Sequence, residues 1–173
     1  MVNNESADIL RMLNSAFAEI VDRGPDLYPE ALAGDIERLN EYLYTDLNNG
    51  VYQAGFASSQ RAYDEAYGKV FAALDSMESR LSDGRTYLFG DDLTETDIRL
   101  FVTLVRFDAA YHGLFKCNRN TLKAMPFLHD YMRRILALEG IANTVNIDHI
   151  KAGYYSIKAL NPSGIVPAGP GEI

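Results

Sequence analysis

Apolar residues recur every three or four positions along most of the chain, which is the spacing of an amphipathic helix. The clearest stretch lasts about six turns at 3.6 residues per turn and ends at a Ser-Asp-Gly string at residues 82–84. Its apolar positions are Tyr63, Ala66, Val70, Leu74, Met77 and Leu81. No strand-like alternation of apolar and polar residues persists in the sequence, so the pattern predicts an all-α fold.

Two shorter stretches precede the long one. The first follows Glu5 and Ser6 and is expected to end at the Gly-Pro pair at residues 24–25; the second follows a proline-containing loop at 25–34 and is expected to stop at the Asn-Asn-Gly string at 48–50. The apolar positions are Ile9, Leu10, Leu13, Phe17, Ile20 and Val21 in the first stretch, and Ile36, Leu39, Leu43 and Leu47 in the second.

A helix start is encoded at residues 93–98. Thr94 and Asp97 have the spacing of a capping box, and Leu93 and Ile98 that of a hydrophobic staple. The helix that follows is apolar nearly all round, as expected of a central helix covered by others. We expect its charged residues to join an internal ion-pair network rather than a binding site, since unpaired buried charge is costly; they are Arg99, Arg106 and Asp108.

Two further helices are predicted, one after Pro126 and one around Ile150. Residues 161–173 are rich in proline and glycine and predict an extended tail.

Composition narrows the class of protein. A chain of 173 residues with 47% hydrophobic residues has enough apolar side chains for one sizeable core. Its net charge of -8, without a basic cluster, argues against nucleic acid or anionic membrane as a partner. No apolar run approaches the roughly 20 residues of a membrane span, and no signal pattern opens the sequence, so we expect a cytoplasmic protein.

Several strings together resemble the xi-class glutathionyl-hydroquinone reductases of the glutathione S-transferase superfamily. The resemblance covers essentially the whole chain and lies in these strings: residues 2–6 (Val-Asn-Asn-Glu-Ser), 49–52 (Asn-Gly-Val-Tyr), 55–56 (Gly-Phe), 103–108, 115–117 (Phe-Lys-Cys), 144–146 (Thr-Val-Asn), 148–151 (Asp-His-Ile-Lys), and 161–162 with 164–165. It implies the helical bundle of the transferase C-terminal domain with an irregular tail.

The resemblance also implies a division of the chain. Residues 1–22 correspond to the last helix of a thioredoxin-like domain or to a lead-in helix, 23–34 to a linker, 35–160 to the helical C-terminal domain and 161–173 to the tail. In the family, the thioredoxin-like domain supplies a cysteine nucleophile. We expect that domain to be absent from this chain.

Glu5 and Ser6 match the pair that binds the γ-glutamyl group of glutathione in the family. A carboxylate pairs with the ligand's ammonium, while a hydroxyl and helix-start amides receive its carboxylate. Without the resemblance, the same residues are ordinary helix-capping chemistry.

Tyr52 and Tyr154 match tyrosines that bind the hydroquinone in the family. A phenol is suited to this role, because it stacks on a ring and donates a hydrogen bond. By composition alone, any of the 11 tyrosines is better read as packing. Two neighbours depart from the family pattern: Gln53 replaces a lysine and Gly153 replaces a histidine.

Cys117 is the only cysteine, which excludes an internal disulfide. Two readings remain, a small buried hydrophobe or a nucleophile, and we favour the first because no histidine lies at a fixed neighbouring spacing. The three histidines, His112, His129 and His149, are too scattered to predict a metal site.

The sequence therefore predicts a substrate-binding and dimerising domain of a glutathione-dependent reductase. Glutathione is the expected co-substrate, a quinone-type aromatic the expected substrate and a homodimer the expected assembly, with no activity from this chain alone. An apolar docking face is expected on the first and the capped helices. The alternative is a stand-alone helical module that binds a small aromatic ligand or a protein partner without catalysis.

Overall fold

The structure is a computed structural model that describes residues 4–17, 20 and 24–171. Within these residues the chain forms seven α-helices joined by turns and short 3₁₀ or π-helical segments. The α-helices are α1 (Ser6–Ser15), α2 (Ala33–Leu43), α3 (Gly50–Gly55), α4 (Gln60–Leu81), α5 (Glu95–Arg106), α6 (Pro126–Leu136) and α7 (Ile147–Tyr155). The all-α prediction is confirmed.

Helix α4 is the 22-residue helix that the spacing predicts. The Ser59 hydroxyl caps its start by accepting a hydrogen bond from the Ala62 amide at 3.2 Å. Just beyond its end, Gly84 has a φ of 89°, which glycine tolerates without strain. One face of α4 is buried in the main core, where it meets α3, α6 and the turn before α3.

The capping box of α5 is present as predicted. The Asp97 carboxylate accepts hydrogen bonds from the Thr94 amide and hydroxyl at 2.8 and 2.9 Å. It also accepts from the Leu88 amide at 2.8 Å and the Tyr131 hydroxyl at 2.7 Å, so it joins α5, α6 and the loop between α4 and α5. Eight of the 12 residues of α5 are buried, as expected of a covered helix, although Val102 is exposed.

The predicted helix stop at residues 48–50 is a break of one residue. After α2, the chain continues through a π-helical turn, Tyr44–Asn48, and after Asn49 it enters α3, a helix that the sequence did not predict. Gly50, the first residue of α3, lies close to α4. A Cβ atom on Gly50 would be 3.1 Å from the Val70 side chain. The glycine therefore serves helix packing rather than helix termination.

The ion-pair network also differs from its prediction. Arg99 contacts Glu95 at 3.3 Å, but the other members are Arg11 and Glu37 rather than Arg106 and Asp108. Arg106 donates to a carbonyl of its own helix, and Asp108 accepts from the Leu122 amide at 2.8 Å. Arg106 is the last residue of α5 and Asp108 lies in the turn after it; both are half-buried, so a backbone partner suffices.

Helix α1 ends at Ser15, well before the predicted Gly-Pro stop, and buries no residue. In proteins, most of the stability of a helix comes from tertiary packing of its apolar face, and α1 has little such packing. Four apolar side chains of α1 and the turn after it are exposed: Ile9, Met12, Leu13 and Phe17. That this face docks on another domain stays a prediction. Val21 lies outside the described residues.

The tail is extended and docked. Lys151 is buried, and its ammonium donates to the Ala168 carbonyl at 2.8 Å. Asn161 donates to the Tyr155 and Ile165 carbonyls at 2.7 and 3.0 Å. No helix among the described residues has the length and apolar character needed to cross a membrane.

Candidate functional site

Four aromatic rings from distant parts of the sequence meet at one end of the bundle. Tyr52 comes from α3, Tyr111 from the π-helical turn Phe107–Tyr111 after α5, Phe115 from the following loop and Tyr154 from α7. Neighbouring ring centroids lie 5.2 to 6.4 Å apart, mostly edge to face. We call these four residues the tyrosine cluster.

The three hydroxyl groups of the cluster form a row. Tyr154 lies in the middle, 2.7 Å from the Tyr52 hydroxyl on one side and 2.7 Å from the Tyr111 hydroxyl on the other. Exposure increases outward, because Tyr111 is 3% exposed and Tyr52 is 37% exposed. The row therefore runs from the core to the surface.

Burial keeps the inner phenols protonated. It raises the pKa of Tyr111 well above its ordinary value of 10 and that of Tyr154 to about 12. The hydrogen bond with Tyr111 acts in the opposite direction on Tyr154 and lowers its pKa. At neutral pH, both groups are neutral hydroxyls that donate and accept hydrogen bonds.

Close contacts hold the loop that carries Phe115. A Cβ atom on Gly55 would lie 2.5 Å from the Phe115 ring, so only glycine leaves room for it. The Tyr63 hydroxyl donates to the Lys116 carbonyl at 2.7 Å, and Lys116 has a φ of 62°, uncommon for a residue with a side chain. This turn presents the ring to the three tyrosines.

Of the sequence-predicted residues, the structure brings Tyr52 and Tyr154 together. Tyr111 was missed by sequence reasoning. A signal for it existed, since Phe107, Tyr111 and Phe115 recur every fourth position, but that spacing is also typical of ordinary core packing. Gln53 and Gly153, the two departures from the family pattern, are exposed, and a Cβ atom on Gly153 would meet open space.

Glu5 and Ser6 lie apart from the cluster along the chain, at the exposed start of α1. Glu5 occupies the N-cap position but makes no side-chain capping hydrogen bond. Helix α1 is tied to the bundle by Arg11, which donates two hydrogen bonds to the buried Glu95 carboxylate at 2.9 and 3.1 Å. Asn40 donates to the same carboxylate at 2.7 Å.

Cys117 is fully buried, and burial raises the pKa of its thiol to about 12. A nucleophilic cysteine needs a lowered pKa and access to the substrate, and Cys117 has neither. Among the described residues, no group of three or more His, Cys, Asp or Glu side chains is placed to hold a metal ion.

Comparison with known proteins identifies the fold. Residues 60–134 match the family model "Glutathione S-transferase, C-terminal domain". The chain superposes with a TM-score of 0.96 on the glutathione-bound structure of YqjG from Escherichia coli K-12, at 48% identity over 99% of this chain and 56% of that one. The fold is therefore that of the glutathione S-transferase C-terminal domain.

Homologues within this superfamily cover nearly the whole chain. It is 49% identical to glutathionyl-hydroquinone reductase PcpF of Sphingobium chlorophenolicum, over 99% of this chain and 55% of that protein. It superposes with a TM-score of 0.94 on glutathione transferase Xi 1 from Trametes versicolor, at 48% identity over 98% of this chain and 60% of that one. The chain spans about half the length of the curated relatives it matches.

Proposed function

We propose that this chain is the substrate-binding C-terminal domain of a glutathione-dependent reductase of glutathionyl-hydroquinones. Tyr52 and Tyr154 bind the hydroquinone, and Glu5 and Ser6 contribute to the glutathione site. One observation carries the proposal: two hydroxyls separated by 102 positions in sequence lie 2.7 Å apart at the accessible edge of an aromatic cluster.

The cluster suits an oxygen-bearing aromatic ring. Aromatic side chains offer a ring edge-to-face or offset contacts, and a phenol hydroxyl donates to a substrate oxygen. In the proposed reaction, a cysteine thiolate attacks the thioether sulfur of the conjugate. A sulfur–sulfur bond forms, the bond from sulfur to the ring breaks, and the ring carbon takes a proton. A second glutathione then reduces the mixed disulfide and leaves as glutathione disulfide.

Hydrogen-bond donors near the hydroquinone oxygens lower the barrier of this step. When the bond to sulfur breaks, its electron pair passes to the ring, and negative charge develops on the ring and its oxygens. Preorganised donors stabilise such charge. Tyr52 and Tyr154 are placed to act as these donors.

The nucleophile of this reaction is not Cys117. Its buried, protonated thiol is unsuited to attack, and we propose that a polypeptide of these 173 residues has no turnover by itself, the cysteine being supplied by a thioredoxin-like domain. Incubation with glutathione and glutathionyl-menadione, with menadiol release as the readout, tests this. Turnover that disappears in Cys117→Ser would place the nucleophile at Cys117 and refute the proposal.

Binding of the substrate is tested by isothermal titration of glutathionyl-menadione. We expect Tyr52→Phe and Tyr154→Phe each to weaken binding about three- to tenfold, the effect of one lost hydrogen bond. Tyr67→Phe is the matched control, because Tyr67 lies outside the cluster. Its ring is tilted against that of Phe71, with 4.6 Å between the ring centroids. Equal affinity in all three variants would remove the cluster from the substrate site.

The glutathione part has its own test. Glu5→Gln and Ser6→Ala should weaken glutathione binding while leaving the affinity for menadiol unchanged. Asp8→Asn, one turn further along the exposed side of α1, is the control for a general loss of negative charge. A loss of affinity as large in Asp8→Asn would show that net charge, not a specific pair, attracts the ligand.

We also propose that the chain assembles as a homodimer through this helical domain. The support is the resemblance to the xi class. Sedimentation equilibrium measures the mass of the assembly directly. A monomer at all accessible concentrations would contradict this assembly.

A further inference from the structure

The hydroxyl row of the tyrosine cluster has a direction that its distances do not reveal. Both contacts are 2.7 Å, and either oxygen of each pair is competent to donate. Three hydroxyls carry three protons, and two hydrogen bonds use two of them. One proton remains, and its location decides what the cluster offers to a ligand.

The surroundings of Tyr111 fix that location. Its ring lies against the rings of Tyr52, Phe107, Phe115 and Tyr154, at 5.3 to 6.4 Å between centroids, and only 3% of it is exposed. Among the described residues, Tyr154 is the partner that lies 2.7 Å from its hydroxyl, and the Tyr52 hydroxyl is a weaker partner that also raises the pKa of Tyr111. If Tyr111 accepted the bond from Tyr154, its own buried proton would be left with only this weaker partner, which is the costlier arrangement.

We propose that Tyr111 is a positioning residue that donates its proton to Tyr154 and so leaves the spare proton on the outer pair, Tyr52 and Tyr154. The outer pair is then a net hydrogen-bond donor that faces the accessible edge of the cluster. The direction of the row depends only on the structure of the free protein. Its use in binding a hydroquinone oxygen rests on the proposed function.

The gradient of exposure agrees with this direction. Tyr52, at the outer end, has 37% of its surface exposed, so water or a ligand oxygen reaches a proton there. Without the Tyr111 hydroxyl, the outer pair would keep one spare proton, but no buried donor would fix the direction in which Tyr154 donates.

Nuclear magnetic resonance of the ligand-free chain with ring-¹³C-labelled tyrosine tests the direction. A slowly exchanging hydroxyl proton is assigned to its own ring by long-range ¹H–¹³C correlation and to its neighbour by the nuclear Overhauser effect. We expect the proton between Tyr111 and Tyr154 to correlate with the ring carbons of Tyr111. Correlation with Tyr154, or rapid exchange of the Tyr111 proton with water, would overturn the proposal.

The consequence for binding is tested with Tyr111→Phe, which keeps the ring and removes only the hydroxyl. We expect it to weaken binding of glutathionyl-menadione about three- to tenfold, although Tyr111 is too buried to touch the ligand. Tyr67→Phe again serves as the control. Wild-type affinity in Tyr111→Phe would refute the positioning role. Failure of the wild type to bind would refute the proposed substrate instead, and the direction would still be decided by the ligand-free measurement.

Discussion

Helices α1 and α5 both carry apolar residues at helical spacing, but they differ in burial. Eight of the 12 residues of α5 are buried, whereas none of the 10 residues of α1 is. α5 is fixed by core packing and by the Asp97 carboxylate, while α1 is held to the bundle mainly by polar contacts such as the pair between Arg11 and Glu95. Amphipathic spacing thus predicts a helix and its apolar face, but not whether that face is covered.

The largest expected effect comes from Asp97→Ala. Four hydrogen bonds to a buried carboxylate are lost, and their donors are left in the core, so we expect the free energy of unfolding to fall by about 4 kcal/mol. Urea denaturation followed by circular dichroism measures it. Asp83→Ala, an exposed aspartate in the preceding turn, should leave the unfolding midpoint near that of the wild type. Equal losses of unfolding free energy in the two variants would show that the hydrogen bonds of Asp97 do not stabilise the fold more than a surface aspartate does.

Leu74→Ala comes next. Leu74 is fully buried on α4, and a leucine-to-alanine cavity in such a core costs about 3 kcal/mol. The same denaturation experiment applies. A loss below about 1 kcal/mol would mean that the core around α4 relaxes to fill the cavity.

Glu95→Gln should act on α1 more than on the bundle. The substitution removes the negative charge that Arg11 and Arg99 share; since both arginines are partly solvated, we expect a loss of about 1–2 kcal/mol. Hydrogen exchange measured by mass spectrometry should show faster exchange in α1 and unchanged protection in α4. Glu41→Gln, at an exposed glutamate of α2, provides the control. An equal increase of the exchange rate along the whole chain would show that α1 does not unfold separately from the bundle.

The smallest effect is expected for Leu13→Ala. This side chain is 62% exposed on α1, so its truncation should change the free energy of unfolding by less than about 0.5 kcal/mol. The contrast with Leu74→Ala, the same substitution on α4, measures the difference between the covered and the uncovered helix. A loss above about 2 kcal/mol at Leu13 would show that another surface, such as a second copy of the chain, covers α1.

Local signals in the sequence predicted much of the fold. The capping box at Thr94 and Asp97, the length of α4 and the extended tail are all confirmed, because each depends on residues near one another in sequence. Helix α3 was not predicted, because Gly50 reads as a helix stop in the sequence but in the structure packs against Val70, a residue on another helix. The other members of the ion-pair network around Glu95 were missed for the same reason, since Arg11 and Glu37 lie on α1 and α2.

The sequence by itself determined six of the seven described α-helices, the absence of a second cysteine and the two tyrosines that matched a family pattern. Only the tertiary structure decided that Tyr52 and Tyr154 share a hydrogen bond, that Tyr111 joins them from the core, and that α1 is left uncovered. The physical reason is the separation along the sequence of the residues that interact. Helix spacing and capping are set by residues within a few turns, whereas hydroxyls 43 and 102 positions apart meet only when the bundle has packed.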